Sequence, residues 1–394
     1  MNDTINISNW LNYSDYFVNQ SDFDSTSVEF LLGINSAYQI ANQPAKADFF
    51  LNELNKKGYR HRNLFQFENS IFWFNKQKDY ADSLQNSIKK VEALNELGFV
   101  YRRTDNYEMA IDAYQQAIAL SDSVGYTAGY AYATNGLGNI YLVLKNFNEA
   151  MRNFRDGLQV EKSINNLLGV AINLNNIGRV YMNLNDFEKA LEYYMLSIEI
   201  NREVGSKLGT AVCYIDIGDV YREKQEIDKA LNYYLLGLQM NTIIDDRFYV
   251  AINSYKVAEI YILKDNFNTA LPYILESIRL SIETKNRWNL AKTYKLMYQV
   301  QRKSGRTHEA IKYLELSTAL NDSILNENSQ RIIFQMQAMF NRERSENKIA
   351  LLQNEKQIAD LKLRKQNYYN NLIIVSFLLM IMAIFVLFFI LRIK

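Results

Sequence analysis

NGLGNIYLVLKNFNEAMRNF, residues 135–154, is followed forty positions later by NNIGRVYMNLNDFEKALEYY, residues 175–194. Leu137, Gly138 and Tyr141 return as Ile177, Gly178 and Tyr181, while Ala150 and Phe154 return as Ala190 and Tyr194. Outward from this pair the first half recurs as NELGFVY (95–101), IDIGDVY (215–221), YKVAEIY (255–261) and KLMYQVQ (295–301). The second half recurs as NYEMA, EIDKA, NFNTA and RTHEA, ending at Ala110, Ala230, Ala270 and Ala310. Self-similarity at one fixed step means stacked helical units rather than a single globular core.

Each period holds two apolar stretches with helical spacing, separated by a short polar turn. Leu137 and Tyr141 are four apart and share a helix face. The glycine between them costs about 1 kcal/mol against Ala inside a helix, so its recurrence implies close packing against a neighbour. Asn106, Asn146, Asp186 and Asn266 are good N-caps for the second helix. Ala117, Gly157, Ser197, Gly237, Ser277 and Ser317 repeat a small residue where helices would cross.

These strings resemble the tetratricopeptide repeat in a forty-residue form. The resemblance covers 91–324 as six units and implies an all-α superhelical solenoid that holds a protein or peptide segment in its concave groove. It departs from the family in lacking the proline that often ends the second helix. With only Pro44 and Pro272 in the chain, the turns are expected to close on Gly, Asn and Asp, and Pro272 to kink its helix locally. Toward the N-terminus, Leu32, Gly33, Ala45 and Phe49 suggest a degenerate repeat over 26–59, while 62–78 fits the register poorly. Residues 25–90 are therefore read as irregular capping helices, and 1–24 as a loose polar lead-in.

From Leu372 to Leu391 only Ser376 is polar, which predicts a transmembrane helix over 371–391 closed by a basic tail at 392–394. Residues 325–370 lack Gly and Pro and read as a long linker helix; an apolar stripe through Ile333, Met336, Phe340, Leu351, Ile358 and Leu361 suggests a coiled coil and a homodimer. This linker is similar to that of Bacteroidota receptors in which such repeats precede one membrane span and then a histidine kinase or helix-turn-helix module. Three residues follow Leu391, so that output activity is not carried over. The expected partners are thus a protein or peptide and the lipid bilayer. The repeats are placed in the cytoplasm by the missing N-terminal signal and the flanking lysines, and alternatively in the periplasm by the receptor resemblance.

Composition and motifs point away from catalysis. A net charge of +1 argues against nucleic acid as the main partner, and one cysteine, Cys213, leaves no intramolecular disulfide. His61 and His308 are the only histidines, and no phosphate loop, nucleophile elbow or metal-ligand pair occurs, so neither an enzyme nor a cofactor is expected. The candidate peptide-binding residues lie on the first helix of each unit: Asn95, Asn135 and Asn175 at one position, with Asn139, Arg179, Asp219 and Glu259 one turn later. Carboxamides both donate to and accept from a peptide backbone. Arg102 and Arg222 add charge for an acidic segment. The main reading is a membrane-anchored scaffold; the alternative is the sensor half of a receptor acting on a separate kinase or regulator.

Overall fold

The computed structural model describes residues 2–18, 28–41, 44–324 and Lys365. The chain divides into two compact units, Met1–Glu327 and Asn328–Lys394, and the helices below belong to the first. They are α1 (Asn2–Val18), α2 (Val28–Ala41), α3 (Pro44–Asn63), α4 (Phe67–Ser83), α5 (Ser87–Arg103) and α6 (Tyr107–Val124). After these come α7 (Thr127–Val143), α8 (Phe147–Ser163), α9 (Leu167–Asn183), α10 (Phe187–Glu203), α11 (Lys207–Glu223) and α12 (Ile227–Ile243). The last are α13 (Arg247–Leu263), α14 (Phe267–Glu283) and α15 (Arg287–Lys303), followed by α16 over 307–324.

Each odd helix packs as a hairpin on the even helix after it, and each hairpin packs on the next. The packing rule is visible in the glycines. A Cβ on Gly98, Gly138, Gly178 or Gly218 would lie within 2.7 Å of the ring of Tyr114, Phe154, Tyr194 or Tyr234. Those rings are essentially fully buried. The small residues of the even helices serve the crossing too: the hydroxyls of Ser197, Ser277 and Ser317 donate to the carbonyls of Ala171, Ala251 and Ala291 at 2.8, 2.8 and 2.9 Å.

The turns obey a twenty-residue rule. Residues 65, 85, 105, 125, 145, 165, 185, 205, 225, 245, 265, 285 and 305 all have positive φ. The residue that follows caps the next helix; Asn106, Asn146, Asp186 and Asn266 each accept from the backbone N–H three positions on. Asp, Asn and Gly occupy many of these left-handed positions, but Phe65, Gln85, Lys145, Gln225 and Lys285 do as well. A non-glycine residue pays about 1–2 kcal/mol there, against about 0.5–1 for the extra entropy that glycine loses. Lys145→Gly is therefore expected to raise stability by about 0.5–1 kcal/mol, and Gly205→Ala to lower it by a similar amount, both read in urea melts.

The N-terminal region differs from the sequence reading. The lead-in expected to be loose is helical as α1, because Ile7 and Leu11 are buried in a cluster with Ile34, Ala37, Phe50 and Trp73. The hairpins here are α1–α2 and α3–α4, so 26–59 is not a unit. Instead α3–α4 continues the array, with Gly58 against Phe74 as Gly98 is against Tyr114. α14 runs unbroken through Pro272.

The membrane reading is corrected. Among the described residues no helix is long and apolar enough to cross a membrane. The repeat helices of seventeen residues reach about 25 Å, short of a hydrocarbon core of about 30 Å, and each carries polar residues. The expected span at 371–391 and, Lys365 apart, the linker helix at 325–370 with the dimer built on it lie outside the described residues. No described helix supports the single-pass membrane location, the bilayer as partner or the resemblance to a receptor's sensor part; what stands is an all-α solenoid of paired helices.

Candidate functional site

The odd helices form the inner side of the array. Consecutive odd helices touch from α3 through α11, and α13 touches α15, whereas even helices make no comparable contacts with one another. The guanidinium of Arg103 on α5 sits 3.9 Å from the ring centre of Phe248 on α13, joining helices four repeats apart. On α7 an open stripe runs through Ala128, Tyr132, Asn135 and Asn139, at steps that keep one helix face. The same register brings Leu168, Ile172, Asn175 and Arg179 together on α9, and Phe248, Ile252, Tyr255 and Glu259 on α13.

The candidate residues of the sequence reading lie on this stripe, and most already bond across neighbouring repeats. Asn135 Nδ2 donates to Asn173 Oδ1 at 3.0 Å, Asn139 Nδ2 to the Asn135 carbonyl at 2.9 Å, and Arg179 Nη1 to Asn139 Oδ1 at 3.3 Å. Asn175 is buried; its Nδ2 donates to Asp216 Oδ2 at 2.8 Å and its Oδ1 accepts from Cys213 Sγ at 3.1 Å. Farther along, Asp219 accepts from Lys256 at 2.6 Å and from Tyr234 at 2.5 Å, and Glu259 accepts from Tyr255 at 2.6 Å and Arg222 at 3.5 Å. Arg102 lies against the ring of Phe99. Asn95, buried on α5, donates through Nδ2 to the Gly129 carbonyl at 3.0 Å. The ladder is thus first a set of rungs between repeats.

Electrostatics single out residues that the sequence reading passed over. Burial pushes Asp216 up to about 6, against the pull of Arg179 and Asn175. Tyr132 keeps 39% of its surface open, yet desolvation of its hydroxyl and the neighbouring Glu96 charge drive its pKa well up. Cys213 is inert packing: burial raises its thiol to about 12. Ile88, Leu168, Leu208 and Trp288 form an exposed apolar row at the first turns of the odd helices. Ile88 and Leu168 were findable, since each lies seven positions before a candidate residue, Asn95 and Asn175.

A cavity of ≈ 340 Å³ opens among α3, α5, α7 and the end of α8, lined by Tyr59, Glu92, Asn95, Glu96, Tyr126, Tyr132 and Glu161 among others. Of the candidate peptide-binding residues it takes in Asn95. Burial raises the Glu96 pKa; Arg62 at 2.5 Å and Tyr59 at 2.7 Å work against that shift. Among the described residues no group of His, Cys, Asp and Glu could hold a metal ion.

Residues 90–163 and 169–242 match the tetratricopeptide repeat family. The tetratricopeptide match covers α5 through α12 and so includes the cavity's α5 and α7 walls. No curated protein matches the sequence. Among solved structures, the array is similar to the Rap conjugation gene regulator of plasmid pLS20 in complex with the Phr* peptide. That likeness has 15% identity and a TM-score of 0.59, over 82% of this chain and 96% of that one. A Rap protein complexed with competence and sporulation factor is similar at 12% identity and TM-score 0.57, over 82% and 99%. Aspartyl phosphate phosphatase F from Bacillus subtilis is similar at 13% identity and TM-score 0.56, over 81% and 94%. At these identities the likeness is one of fold.

Proposed function

We propose that the array is a peptide sensor: a peptide lies along the inner stripe, and its arrival alters how the array engages a separate regulatory protein. The observation that carries this reading is the inner stripe itself, an exposed apolar row beside a half-buried polar floor on the one face where odd helices adjoin. Apolar side chains of an extended ligand gain from the row, and its backbone from the carboxamides. Two similar structures contain a Phr* peptide and competence and sporulation factor, which supports a peptide ligand for the same fold here. The Arg103–Phe248 contact spans the inner face, so a ligand lying there changes the spacing of the helices it touches. That favours a sensor over a passive scaffold.

The test is retention of peptides from a random pool by the full chain, identified by mass spectrometry. Leu168→Glu with Leu208→Glu should weaken retention by at least about tenfold, a 1.4 kcal/mol effect, whereas Leu196→Glu on α10, equally exposed, should not. Equal loss in both variants, or in neither, would sink the groove assignment. Spin labels at Met109 and Ile243, both exposed, should report a changed distance on peptide binding; an unchanged distribution leaves only a scaffold.

A further inference from the structure

The cavity among α3, α5 and α7 is acidic and lacks a cation of its own. Its lining holds three carboxylates, Glu92, Glu96 and Glu161, and three phenols, Tyr59, Tyr126 and Tyr132, with no lysine or arginine. Two of the carboxylates are answered from outside it: Glu96 by Arg62 at 2.5 Å and Glu92 by Lys89 at 2.8 Å. Glu161 is not. It is 8% exposed, its Oε2 accepts from the Asn166 amide at 2.8 Å, and no cation lies within 4 Å of it among the described residues. Burial accordingly raises its pKa, with the Asn166 hydrogen bond opposing. A buried carboxylate without a counterion is expensive, and proteins ordinarily pair such a group.

Three further features mark this as a built site. Asn95, 5% exposed, has its Nδ2 committed to the Gly129 carbonyl, while its Oδ1 has no hydrogen-bond partner. An acceptor in the wall therefore lacks a donor. The Glu161 carboxyl rests on the bare Cα of Gly169, where a Cβ would come within 2.2 Å of its carboxyl carbon. At the same place in the other repeats stand Ser121, Asn201, Asn241 and Ser281, all buried and neutral. Packing there does not call for a charge, so the carboxylate of this repeat answers to something else.

We propose that this cavity is a subsite for one cationic group, an ammonium or a guanidinium, held by Glu161 and Asn95 and faced by tyrosine rings. The donors of such a group meet the carboxylate and the open acceptor, and the rings add a cation–π contribution. The proposal deepens the peptide reading and rests on it for the group's source: a basic side chain of the bound peptide, its N-terminal amine, or a free amine.

The experiment uses the full chain and two probes. Agmatine and n-butylammonium at millimolar concentration should raise the thermal midpoint of the wild type, while n-butanol should not. Glu161→Gln keeps the shape and the Asn166 bond; it should abolish the shift while leaving the unliganded protein at least as stable. Gly169→Ala, which displaces the carboxyl instead of neutralising it, should abolish it too. The second probe is three peptide pools: acetylated with one fixed arginine, acetylated with norleucine there, and norleucine with a free N-terminus. At least about tenfold enrichment of the first pool assigns a side chain, and of the third an N-terminal amine. That enrichment should vanish in Glu161→Gln while apolar retention persists. Retention without cation preference, or an amine shift surviving Glu161→Gln, overturns the cavity proposal and leaves the groove reading standing. Amine shifts without any peptide retention keep the cavity as a free-amine site and overturn the groove reading.

Discussion

Phe154→Ala should destabilise the array by about 3–5 kcal/mol, and it should reverse the sign of a second substitution, Gly138→Ala. Phe154, on α8, is fully buried against α7 and α9, so its truncation removes a large apolar ring and leaves a cavity. In the native protein a Cβ on Gly138 would fall 2.5 Å from the ring's Cε1. Overpacking of this kind costs about 1–3 kcal/mol, more than the roughly 1 kcal/mol that alanine returns in helix propensity. Once the ring is gone the Cβ enters vacant space, and the propensity gain remains. Gly138→Ala is thus destabilising alone and stabilising beside Phe154→Ala, a coupling that a double-mutant cycle reads directly.

The chain contains a natural version of this experiment. Glycine faces an aromatic ring sixteen positions on at Gly58, Gly98, Gly138, Gly178 and Gly218. In the next repeat the pair becomes Ala258 and Ile274, both fully buried: the small residue gains a carbon where the large one loses its ring. Because repeat arrays unfold segmentally, amide exchange in α7 and α8 is a better readout than one global melt. The same sign for Gly138→Ala in both backgrounds would refute the packing rule.

The repeat was legible because one physical requirement, close approach of odd and even helices, fixes several positions in register. The pairing of Gly58 with Phe74 obeys that requirement, but Ser70 and Gln77 stand in α4 where later repeats carry Ala110 and Ala117, which hid the unit. The turn rule was half legible: Gly125, Asn185 and Asp265 announce a left-handed residue, whereas Phe65 and Lys145 are held there by the helices on either side. At the candidate site, spacing placed Asn135, Asn139 and Arg179 on one face of the odd helices, where the structure has them. It could not show that their amides bond first to one another, since partners forty residues away are set by stacking. Glu161 escaped notice for a related reason. It belongs to an even helix and reaches the cavity only because Gly169 leaves room.

Asp15→Ala is expected to cost about 3–5 kcal/mol in the α1–α4 unit, through charges it leaves behind rather than contacts it removes. Asp15 is 3% exposed; it faces His61 Nε2 at 2.9 Å and Lys57 Nζ at 3.4 Å, and both partners are buried. His61 in turn has Gln66 Oε1 at 2.6 Å from Nδ1, and Lys57 donates to Asn12 at 2.5 Å. Without the carboxylate, Lys57 is a buried ammonium with no counterion there. Burial alone would raise the Asp15 pKa, but the His61 hydrogen bond and the Lys57 charge outweigh it and hold the carboxyl below its ordinary value. A depressed carboxyl contributes stability that is fully present above its unfolded value of about 3.9 and lost as pH falls through the folded one. The wild-type unit should therefore loosen under acid, below about pH 4, and the variant should lack that part of the pH dependence. Trp73 lies in this unit's core and Trp10 packs against it, so tryptophan emission across an acid titration follows it in a chain whose exposed Trp288 is replaced by Phe. A variant as stable as the wild type at pH 7 would show that Lys57 reaches water once its partner is gone, and the buried charge would then not be what ties α1 to α3.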